Sequence, residues 1–380
     1  MALKLFILAG EASGDRLGAD LVARLKRLHP DIEVSGVGGE HLIGEGLKSL
    51  FPMRELSVMG WADILPRLPW LLMRARQTAH AIVKSKPDVV VFVDAQLFSK
   101  KVAGHVRKAG GTMPMALYVA PAVWAWEPER AQKLTALFDE VLAVLPFEPS
   151  FMAAHGGPPT HYVGHSALAR FPAREVLPER GPLLLLPGSR MGELKRNLPQ
   201  VRAVAEALAT HPRVTELVMP TLGWLEARLR RETERWQVPV RIVVAAEERR
   251  AAFAAAVGAV AVTGTATLEL ALSGIPQVGT YVGDKGQIER WLKFKVRFAA
   301  LPNIILGREA MPEVLFGPPP EPERLVAATL AVLEPAAGEA QVAAFAEMRD
   351  LMAKGAPEAP LVDVAERVLA LLDQRRSSGS

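Results

Sequence analysis

The fold is decided by the stretch Leu183-Leu184-Leu185-Leu186-Pro187-Gly188-Ser189-Arg190. The four leucines after Pro182 predict a short, fully buried strand, which the turn at Gly188 and Ser189 ends. From Glu193 onward apolar residues recur at helical spacing, so a helix follows the turn. A strand that feeds a helix in this way presents free backbone N–H groups, which attract an anion such as a phosphate. Arg190 adds a fixed positive charge and directed hydrogen bonds, although an ordinary turn with a surface arginine has the same local pattern.

We call such a strand–turn–helix junction a corner. A second corner of the same kind occupies residues 263–269, which have the sequence Thr-Gly-Thr-Ala-Thr-Leu-Glu. The strand predicted at Ala259–Val262 stops there, and hydroxyls and N–H groups gather at the start of the next helix. Glu269 lies near the beginning of that helix, where it could accept hydrogen bonds from a ribose diol. The alternative is a capping box, in which Thr265 or Thr267 caps the helix and Glu269 completes it. Two such corners in one half of the chain favour a ligand-binding role.

Composition limits the class of protein. The chain has 380 residues, 50% of them hydrophobic and 23% charged, which predicts a globular protein of two domains. A net charge of +4 fits an acidic ligand or an anionic surface and is too small to indicate nucleic acid binding. The absence of cysteine excludes disulfides, thiolate nucleophiles and Cys-ligated zinc. The apolar N-terminus resembles a first strand and not a signal peptide, and no apolar run is long enough to span a membrane, so we expect a cytoplasmic protein.

Strand-like and helical runs alternate along almost the whole chain, which predicts parallel sheets covered by helices on both faces. We expect an N-terminal Rossmann-like domain over residues 1–168 and a C-terminal domain over residues 183–338. A last helix over residues 339–372, for which Gly355-Ala356-Pro357 marks a candidate break, and a disordered tail over residues 373–380 complete the prediction. Neither the Rossmann dinucleotide fingerprint nor a P-loop is present, so nicotinamide and P-loop nucleotide chemistry lack their required parts.

Polar residues in the first half follow predicted strands, and in parallel sheets ligands bind beyond the carboxyl ends of strands. Asp94 ends the very apolar run Val89–Val93, where a carboxylate is costly unless it serves a site, and could act as a general base. Glu11 follows the first strand. The remaining polar residues at such ends are Ser13, Asp15, Trp124, Trp126, Glu148 and His165.

Two segments are both basic and amphipathic, residues 58–74 and residues 290–298. Either could rest on an anionic membrane surface or receive acyl chains. A buried face with solvated charges is the alternative for each.

Taken together, these residues resemble the lipid-A-disaccharide synthase family, whose members are inverting glycosyltransferases of the GT-B fold. The matching pieces occur in the family's order across nearly the whole chain: residues 9–15, Gly36-Val37-Gly38-Gly39, Met59-Gly60, residues 118–126, residues 145–148, residues 162–165, residues 186–190 with Glu193, residues 263–269 and residues 301–309.

The resemblance implies two Rossmann-like doubly wound α/β domains facing a cleft, with the C-terminal helix crossing back to the N-terminal domain. It implies a hexosyltransferase of lipid A biosynthesis that moves 2,3-diacylglucosamine from UDP to the 6-hydroxyl of 2,3-diacylglucosamine 1-phosphate, a lipid monosaccharide phosphate. It places the enzyme in the cytoplasm, peripheral on the inner membrane surface, and a homodimer is a candidate assembly. No metal or other cofactor is expected, because the UDP-sugar is a donor substrate.

The resemblance also implies site residues. The expected donor contacts are Gly188, Ser189, Arg190 and Glu193 at the first corner, Gly264, Thr265, Ala266, Thr267 and Glu269 at the second, and Asn303 in the same pocket. The expected catalytic residues are Arg190, which stabilises the leaving diphosphate, and the candidate bases Asp94 and Glu11.

One loop departs from the family pattern. Where the family has Asp-x-Pro-Asp-Phe-Asn, this chain has Asp94-Ala95-Gln96-Leu97-Phe98-Ser99. The altered loop lies at the expected acceptor site, whereas the donor motifs are intact. Three alternatives therefore stay open: a GT-B transferase with another acceptor, a UDP-sugar 2-epimerase, and a UDP-sugar-binding protein without transferase activity.

Overall fold

The computed structural model describes residues 2–56, 61–317 and 320–378. The Met59-Gly60 piece of the family pattern and the start of the basic segment at residue 58 lie outside the described residues. The chain divides into two compact units, one formed by residues 1–165 with 354–380 and the other by residues 166–353. The predicted boundary at residue 168 therefore falls three residues inside the second unit.

The first unit is built on one parallel sheet. Its strands are β1 (Lys4–Ala9), β2 (Glu33–Val37), β3 (Lys48–Ser49), β4 (Val89–Val93), β5 (Met115–Tyr118), β6 (Glu140–Ala143) and β7 (Thr160–Tyr162). They lie in the order β3-β2-β1-β4-β5-β6-β7. The helices of the same part of the chain are α1 (Ala12–Leu28), α2 (Glu40–Gly44), α3 (Trp61–Ser85), α4 (Gln96–Lys108), α5 (Val123–Trp126), α6 (Arg130–Lys133) and α7 (Glu148–Ala154).

The second unit repeats the plan with six parallel strands. These are β8 (Gly181–Leu186), β9 (Val214–Pro220), β10 (Arg241–Val243), β11 (Gly258–Val262), β12 (Gln277–Val282) and β13 (Glu313–Phe316), in the order β10-β9-β8-β11-β12-β13. Its helices are α8 (Ala167–Arg170), α9 (Met191–Leu208), α10 (Gly223–Thr233), α11 (Ala246–Ala255), α12 (Thr265–Leu272), α13 (Lys285–Phe294), α14 (Leu301–Leu306), α15 (Pro322–Leu333) and α16 (Pro335–Lys354).

The central strands are apolar because helices cover both faces of a parallel sheet. Every residue of β4 and of β11 is buried, as are five of the six residues of β8. The sequence shows these strands as continuous apolar runs, and the predicted α/β class is confirmed.

Each sheet reverses its strand order at one place, and these places fix where ligands bind. In the first unit β1 pairs with β2 on one side and β4 on the other. In the second unit β8 likewise lies between β9 and β11. In doubly wound sheets the crevice for a ligand opens beyond the carboxyl ends of the strands at such a switch point. The predicted corners follow β8 and β11, and Glu11 and Asp94 follow β1 and β4.

The C-terminal segment predicted as a helix over residues 339–372 consists of two helices, and the break lies at the predicted place near Gly355. Helix α16 ends at Lys354, where Gly355 takes a left-handed φ of +81°, and a short antiparallel pair follows, β14 (Gly355–Ala356) and β15 (Ala359–Pro360). A second helix, α17 (Val364–Ser378), then begins. All of α16 up to Ala353 belongs to the second unit, so only α17 returns to the first.

Two ion pairs attach α17 to the first unit. Arg367 donates two hydrogen bonds of 2.6 Å to the buried carboxylate of Glu140 at the start of β6. Arg24 of α1 bonds Asp363, just before α17, at 2.8 Å. The tail predicted to be disordered from residue 373 is helical to Ser378, which corrects that expectation. The buried Leu371 and Leu372 pack this helix, and helix-favouring residues such as glutamine and arginine continue it.

No single helix among the described residues has the length and apolar composition of a membrane span. Helices α15 and α16 meet those criteria only as a pair, across a bend of 84°.

Candidate active site

The corner after β8 has the predicted strand–turn–helix form. Gly188 takes a φ of +101°, and a Cβ at that position would lie 3.1 Å from Glu193 Oε2. Only glycine adopts this left-handed backbone conformation without strain and without a steric clash. Helix α9 begins at Met191 with Arg190 as its N-cap, so Ser189 and Arg190 stand exposed at the end of the strand.

Glu193 accepts hydrogen bonds from both the backbone and the side chain of Arg190. Its carboxylate accepts a bond of 2.9 Å from Arg190 Nη1 and one of 3.4 Å from the Arg190 N–H. The arginine side chain is 85% exposed, whereas that of the glutamate is 12% exposed. An ion pair with so exposed a partner contributes at most about 1 kcal/mol, so the guanidinium can leave Glu193 for another anion at little cost. The pair keeps Arg190 close to the helix N-terminus.

The corner after β11 has no side-chain cap. Gly264 is the N-cap of α12, and the first N–H groups of a helix have no partner within it. Thr265 is exposed and Ala266 is half-buried at this end. Thr267 is fully buried, and its hydroxyl bonds the Gly264 carbonyl at 2.7 Å. Of the two threonines, Thr265 is therefore the one that can present its hydroxyl to a ligand.

The two corners are neighbours. Strands β8 and β11 pair directly, with Leu186 opposite Ala261, so their carboxyl ends are one strand spacing apart, about 4.8 Å. Glu269, one turn after Thr265, is half-buried, and burial raises the pKa of its carboxyl, while Arg249 and Arg170 act to lower it. Two helix N-termini and one arginine thus converge where a diphosphate can bind, with a carboxylate close by.

The far end of α12 is anchored by two arginines that no sequence motif indicates. Arg349 donates to the carbonyl of Leu272 at 3.1 Å, and also to the carbonyls of Phe171 and Leu168. Arg174 donates to the carbonyl of Ser273 at 3.2 Å and to two carbonyls at the end of α11. Burial lowers the pKa of Arg174 to about 10. No local pattern could have revealed these contacts, because the partners lie 77 to 181 residues apart.

Asn303 differs from its expected role. The side chain is fully buried, and its amide donates to the Met311 carbonyl and to Glu313. Its oxygen accepts from the N–H groups of Ala310 and Met311. These four bonds use the whole hydrogen-bonding capacity of the amide, so the side chain supports the loop before β13 and has none left for a ligand.

The switch point of the first unit is crowded by two loops. A Cβ on Gly10 would lie 2.5 Å from Ala95 Cβ, and one on Gly14 would lie 3.0 Å from the Val93 carbonyl oxygen. Glycines at both positions therefore let the start of α1 approach the end of β4. Glu11, the exposed N-cap of α1, and Asp94 both lie at this place.

The backbone around Asp94 is strained. Asp94 and Ala95 have φ values of +55° and +47°, and Val119, after the adjacent strand β5, has +78°. Such angles cost on the order of 1–3 kcal/mol each in residues other than glycine and cluster at functional sites. Gln96 binds the two loops together, because its Nε2 donates to the Val119 carbonyl at 2.9 Å. Ser99 bonds the Asp94 carbonyl at 2.9 Å, so the altered loop still fixes the turn.

Asp94 is half-buried, and burial raises the pKa of its carboxyl above the ordinary range, partly opposed by the N–H of Ala95. A raised pKa brings a carboxylate closer to the strength that a general base needs near neutral pH. The structure therefore places the first base candidate in a suitable environment.

A second carboxylate lies at the same edge of this sheet. Glu148, 3% exposed, accepts the N–H groups of Val144 and Leu145 at 3.2 and 3.0 Å and the indole N–H of Trp124 at 3.3 Å. Burial raises the pKa of Glu148 to about 7, in spite of these donors. Trp124 is also in edge contact with Phe147, so it is a packed wall of the loop after β5. The Trp126 side chain lies outside the described part.

Within the described residues, no group of three acidic or histidine side chains is placed to hold a metal ion.

Comparison with known proteins gives one consistent result. The family model for lipid-A-disaccharide synthetase matches residues 5–359. A lipid-A-disaccharide synthase of Bradyrhizobium diazoefficiens is 39% identical over 386 residues, covering 98% of this chain and 97% of that protein.

Among solved structures, the glycotransferase of kitacinnamycin has a TM-score of 0.60 at 14% identity, covering 98% of this chain and 99% of its own. A UDP-GlcNAc 2-epimerase from Methanocaldococcus jannaschii has 0.54 at 12%, covering 88% and 93%. The solved structures show the GT-B fold alone, whereas the curated relative and the family model extend along almost the whole sequence. On that ground this chain belongs to the lipid-A-disaccharide synthase family.

Proposed function

We propose that the two units divide the work of one glycosyl transfer. As a member of its family the protein is a hexosyltransferase of lipid A biosynthesis, which joins 2,3-diacylglucosamine from UDP to 2,3-diacylglucosamine 1-phosphate. The second unit binds the UDP donor, and the first unit binds the acceptor. The observation that carries this assignment is the pairing of β8 with β11, which sets the two glycine-containing corners side by side at a switch point.

The donor diphosphate binds the N-termini of α9 and α12. Gly188 and Gly264 let the backbone approach it, and Ser189, Thr265 and Ala266 offer N–H and hydroxyl donors. Arg190 leaves Glu193 and bonds the diphosphate, while Glu269 accepts hydrogen bonds from the ribose. Thr267 and Asn303 contribute by shaping the two loops, since their side chains are committed to internal contacts.

Transfer is a single displacement with inversion. The 6-hydroxyl oxygen of the acceptor bonds the anomeric carbon as the bond from that carbon to the UDP oxygen breaks. The proton of the hydroxyl passes to the Asp94 carboxylate, and UDP leaves with the bonding electron pair. Arg190 and the two helix N-termini stabilise the charge that grows on the leaving diphosphate. The mechanism uses no metal or other cofactor, and Glu11 is the second candidate for the base.

We further propose that the protein works in the cytoplasm at the inner membrane surface. On α3 the side chains of Leu68, Trp70 and Met73 are exposed by 42%, 45% and 44%. On α13 Leu292 is 74% exposed beside the exposed cations Arg290 and Lys293. Apolar side chains next to cations favour an anionic lipid surface. Sedimentation with anionic vesicles tests this, and Leu292→Glu should reduce the bound fraction. A homodimer stays a prediction.

A different acceptor is the second candidate function, and Leu97 favours it. This residue is 66% exposed in the first turn of α4, where the family pattern has an aspartate. An apolar side chain in place of a carboxylate changes what can bind beside Asp94.

The test is mass spectrometry of the products formed from UDP-2,3-diacylglucosamine with 2,3-diacylglucosamine 1-phosphate and with other glycolipid acceptors. We expect the disaccharide phosphate and UDP. A product only with another acceptor supports the second candidate. Protection from thermal unfolding by UDP without any product would show a binding protein, and interconversion of the donor without acceptor would show an epimerase.

A further inference from the structure

Lys100 is a half-buried cation for which the described residues provide no counter-ion. It lies in the second turn of α4, and in the described parts of the chain no acidic group forms an ion pair or hydrogen bond with it. Burial lowers the pKa of its ammonium group, and the charge of Arg130 lowers it further. A desolvated cation beside a second cation is unfavourable unless an anion joins them.

The packing of α4 shows which face of the helix carries Lys100. Lys100, Gly104 and Arg107 are spaced i, i+4 and i+7, so they lie along one face of the helix. At one end Arg107 bonds Asp139 at 2.6 Å, and Asp139 also accepts the N–H of Met115 at the start of β5. In the middle, a Cβ on Gly104 would be 3.8 Å from Leu137 Cδ2. This face of α4 therefore packs against the segment from α6 to the start of β6, residues 130–139.

The other end of the same face reaches the edge of the sheet where the acceptor binds. Lys100 lies seven residues before Arg107, about 10 Å nearer the carboxyl ends of the strands. It is four residues after Gln96, the first residue of α4, and so about 6 Å along the helix from the Asp94 turn. Arg130 opens α6 in the connection that follows β5, and its side chain is 56% exposed.

Arg130 is already paired with Glu127, one turn before it. That pair is exposed on both sides, at 56% and 38%, so it holds the guanidinium only weakly. The exposed Lys133 lies on the same helix as Arg130 and adds to the positive potential. The positive charge at this place therefore exceeds the single negative charge of Glu127.

We propose that Lys100 and Arg130 form the subsite that binds the 1-phosphate of the acceptor sugar. The inference rests on the proposed function, because it takes the acceptor to be a glucosamine lipid with a phosphate monoester. Such a group carries nearly two negative charges and three acceptor oxygens, enough to bond both side chains. The arrangement puts the phosphate about one helical turn from Asp94, so that the sugar ring spans from the phosphate to the base.

The kinetic test compares the acceptor with the same lipid lacking its phosphate. Lys100→Met keeps the aliphatic stem and removes the charge. We expect its KM for the phosphorylated acceptor to rise about 10- to 100-fold, the range for the loss of a charge-assisted hydrogen bond. Its KM for the unphosphorylated lipid and for the UDP donor should not change. Lys101→Met, an exposed neighbour on the same helix, is the matched control and should match the wild type.

Equal effects of Lys100→Met on both acceptors, or a larger effect on the donor KM, would overturn the subsite. A binding measurement separates this outcome from failure of the proposed function. Glucosamine 1-phosphate should raise the melting temperature of the wild type and not that of Lys100→Met, while UDP raises both. If the wild type forms no disaccharide but shows this difference, the subsite stands and the assigned reaction is wrong. If glucosamine 1-phosphate protects both proteins equally, the subsite is refuted even where transfer occurs.

Discussion

Arg349 Nη1 lies 3.1 Å from the carbonyl oxygen of Leu272, the last residue of the helix whose first residues we assign to the donor diphosphate. A cation at the C-terminus of a helix stabilises its dipole, and the three bonds that Arg349 makes fix this end of α12 in place. At the other end Gln277 donates to the Thr267 carbonyl at 2.8 Å. The donor corner is therefore held from both ends of an eight-residue helix.

Arg349→Met should weaken both folding and donor binding. Loss of three hydrogen bonds costs roughly 3 kcal/mol, at about 1 kcal/mol each, and lowers the melting temperature by several degrees. The KM for the UDP donor should rise while the KM for the acceptor stays constant, since only α12 is loosened. Arg308→Met, which breaks an exposed pair with Glu347, is the control and should change neither. A donor KM equal to that of the wild type would limit Arg349 to a role in folding.

Arg190→Ala should reduce activity and leave stability almost unchanged, unlike Arg349→Met, which should reduce stability as well. The side chain is 85% exposed, so its removal should change the melting temperature by little. Its loss from the developing charge on the diphosphate should reduce kcat/KM by about 100- to 1,000-fold. Arg250→Ala, another exposed arginine at a helix surface in the same unit, should leave both unchanged. A parallel fall in melting temperature and activity would contradict the assigned role.

Asp94→Asn should remove the base and retain the fold. We expect a loss of about 100- to 10,000-fold in kcat with UDP protection unchanged, and no effect from the exposed Asp31→Asn. In the wild type, activity falls as acid protonates the base. Because burial raises the pKa of Asp94, this fall should occur at higher pH than for an ordinary carboxyl. If Glu11→Gln and not Asp94→Asn abolishes turnover, Glu11 is the base.

The central strands and both corners could be predicted from local pattern alone. A parallel strand covered on both faces reads as a continuous apolar run, as at Val89–Val93. A glycine after such a run marks a turn into a helix, which is what Gly188 and Gly264 do. The edge strand β3 has only two residues, which carry too little pattern for a prediction.

Features that depend on distant contacts could not be predicted. The break between α16 and α17 is marked by Gly355, yet the unit that each helix joins depends on pairs such as Arg367 with Glu140, 227 residues apart. Asn303 lies in a family motif. Only the structure shows that its side chain is buried and that its amide forms hydrogen bonds with the loop before β13. The raised pKa of Glu148 likewise follows from packing that no spacing encodes.

Glu148 predicts a specific dependence of stability on pH. Its pKa is about 7 in the folded protein and near 4.5 in the unfolded chain, so between these values the folded state binds a proton that the unfolded state lacks. Stability from this group is therefore present below pH 4.5 and is lost as pH rises to about 7, by on the order of 3 kcal/mol.

Glu148→Gln isolates this contribution, because glutamine resembles the protonated acid and does not titrate. The free energy of unfolding of the wild type relative to the variant should fall between pH 5 and pH 8, as measured by urea denaturation at each pH. Half-buried carboxyls such as those of Asp94 and Glu313 titrate in both proteins and cancel in the difference. The single side-chain oxygen of glutamine can accept from Trp124 or from the N–H groups of Val144 and Leu145, and not from both, so the variant is less stable at every pH and only the pH dependence of the difference is diagnostic. A difference that stays constant across this range would mean that Glu148 is ionised throughout and that its N–H donors outweigh burial.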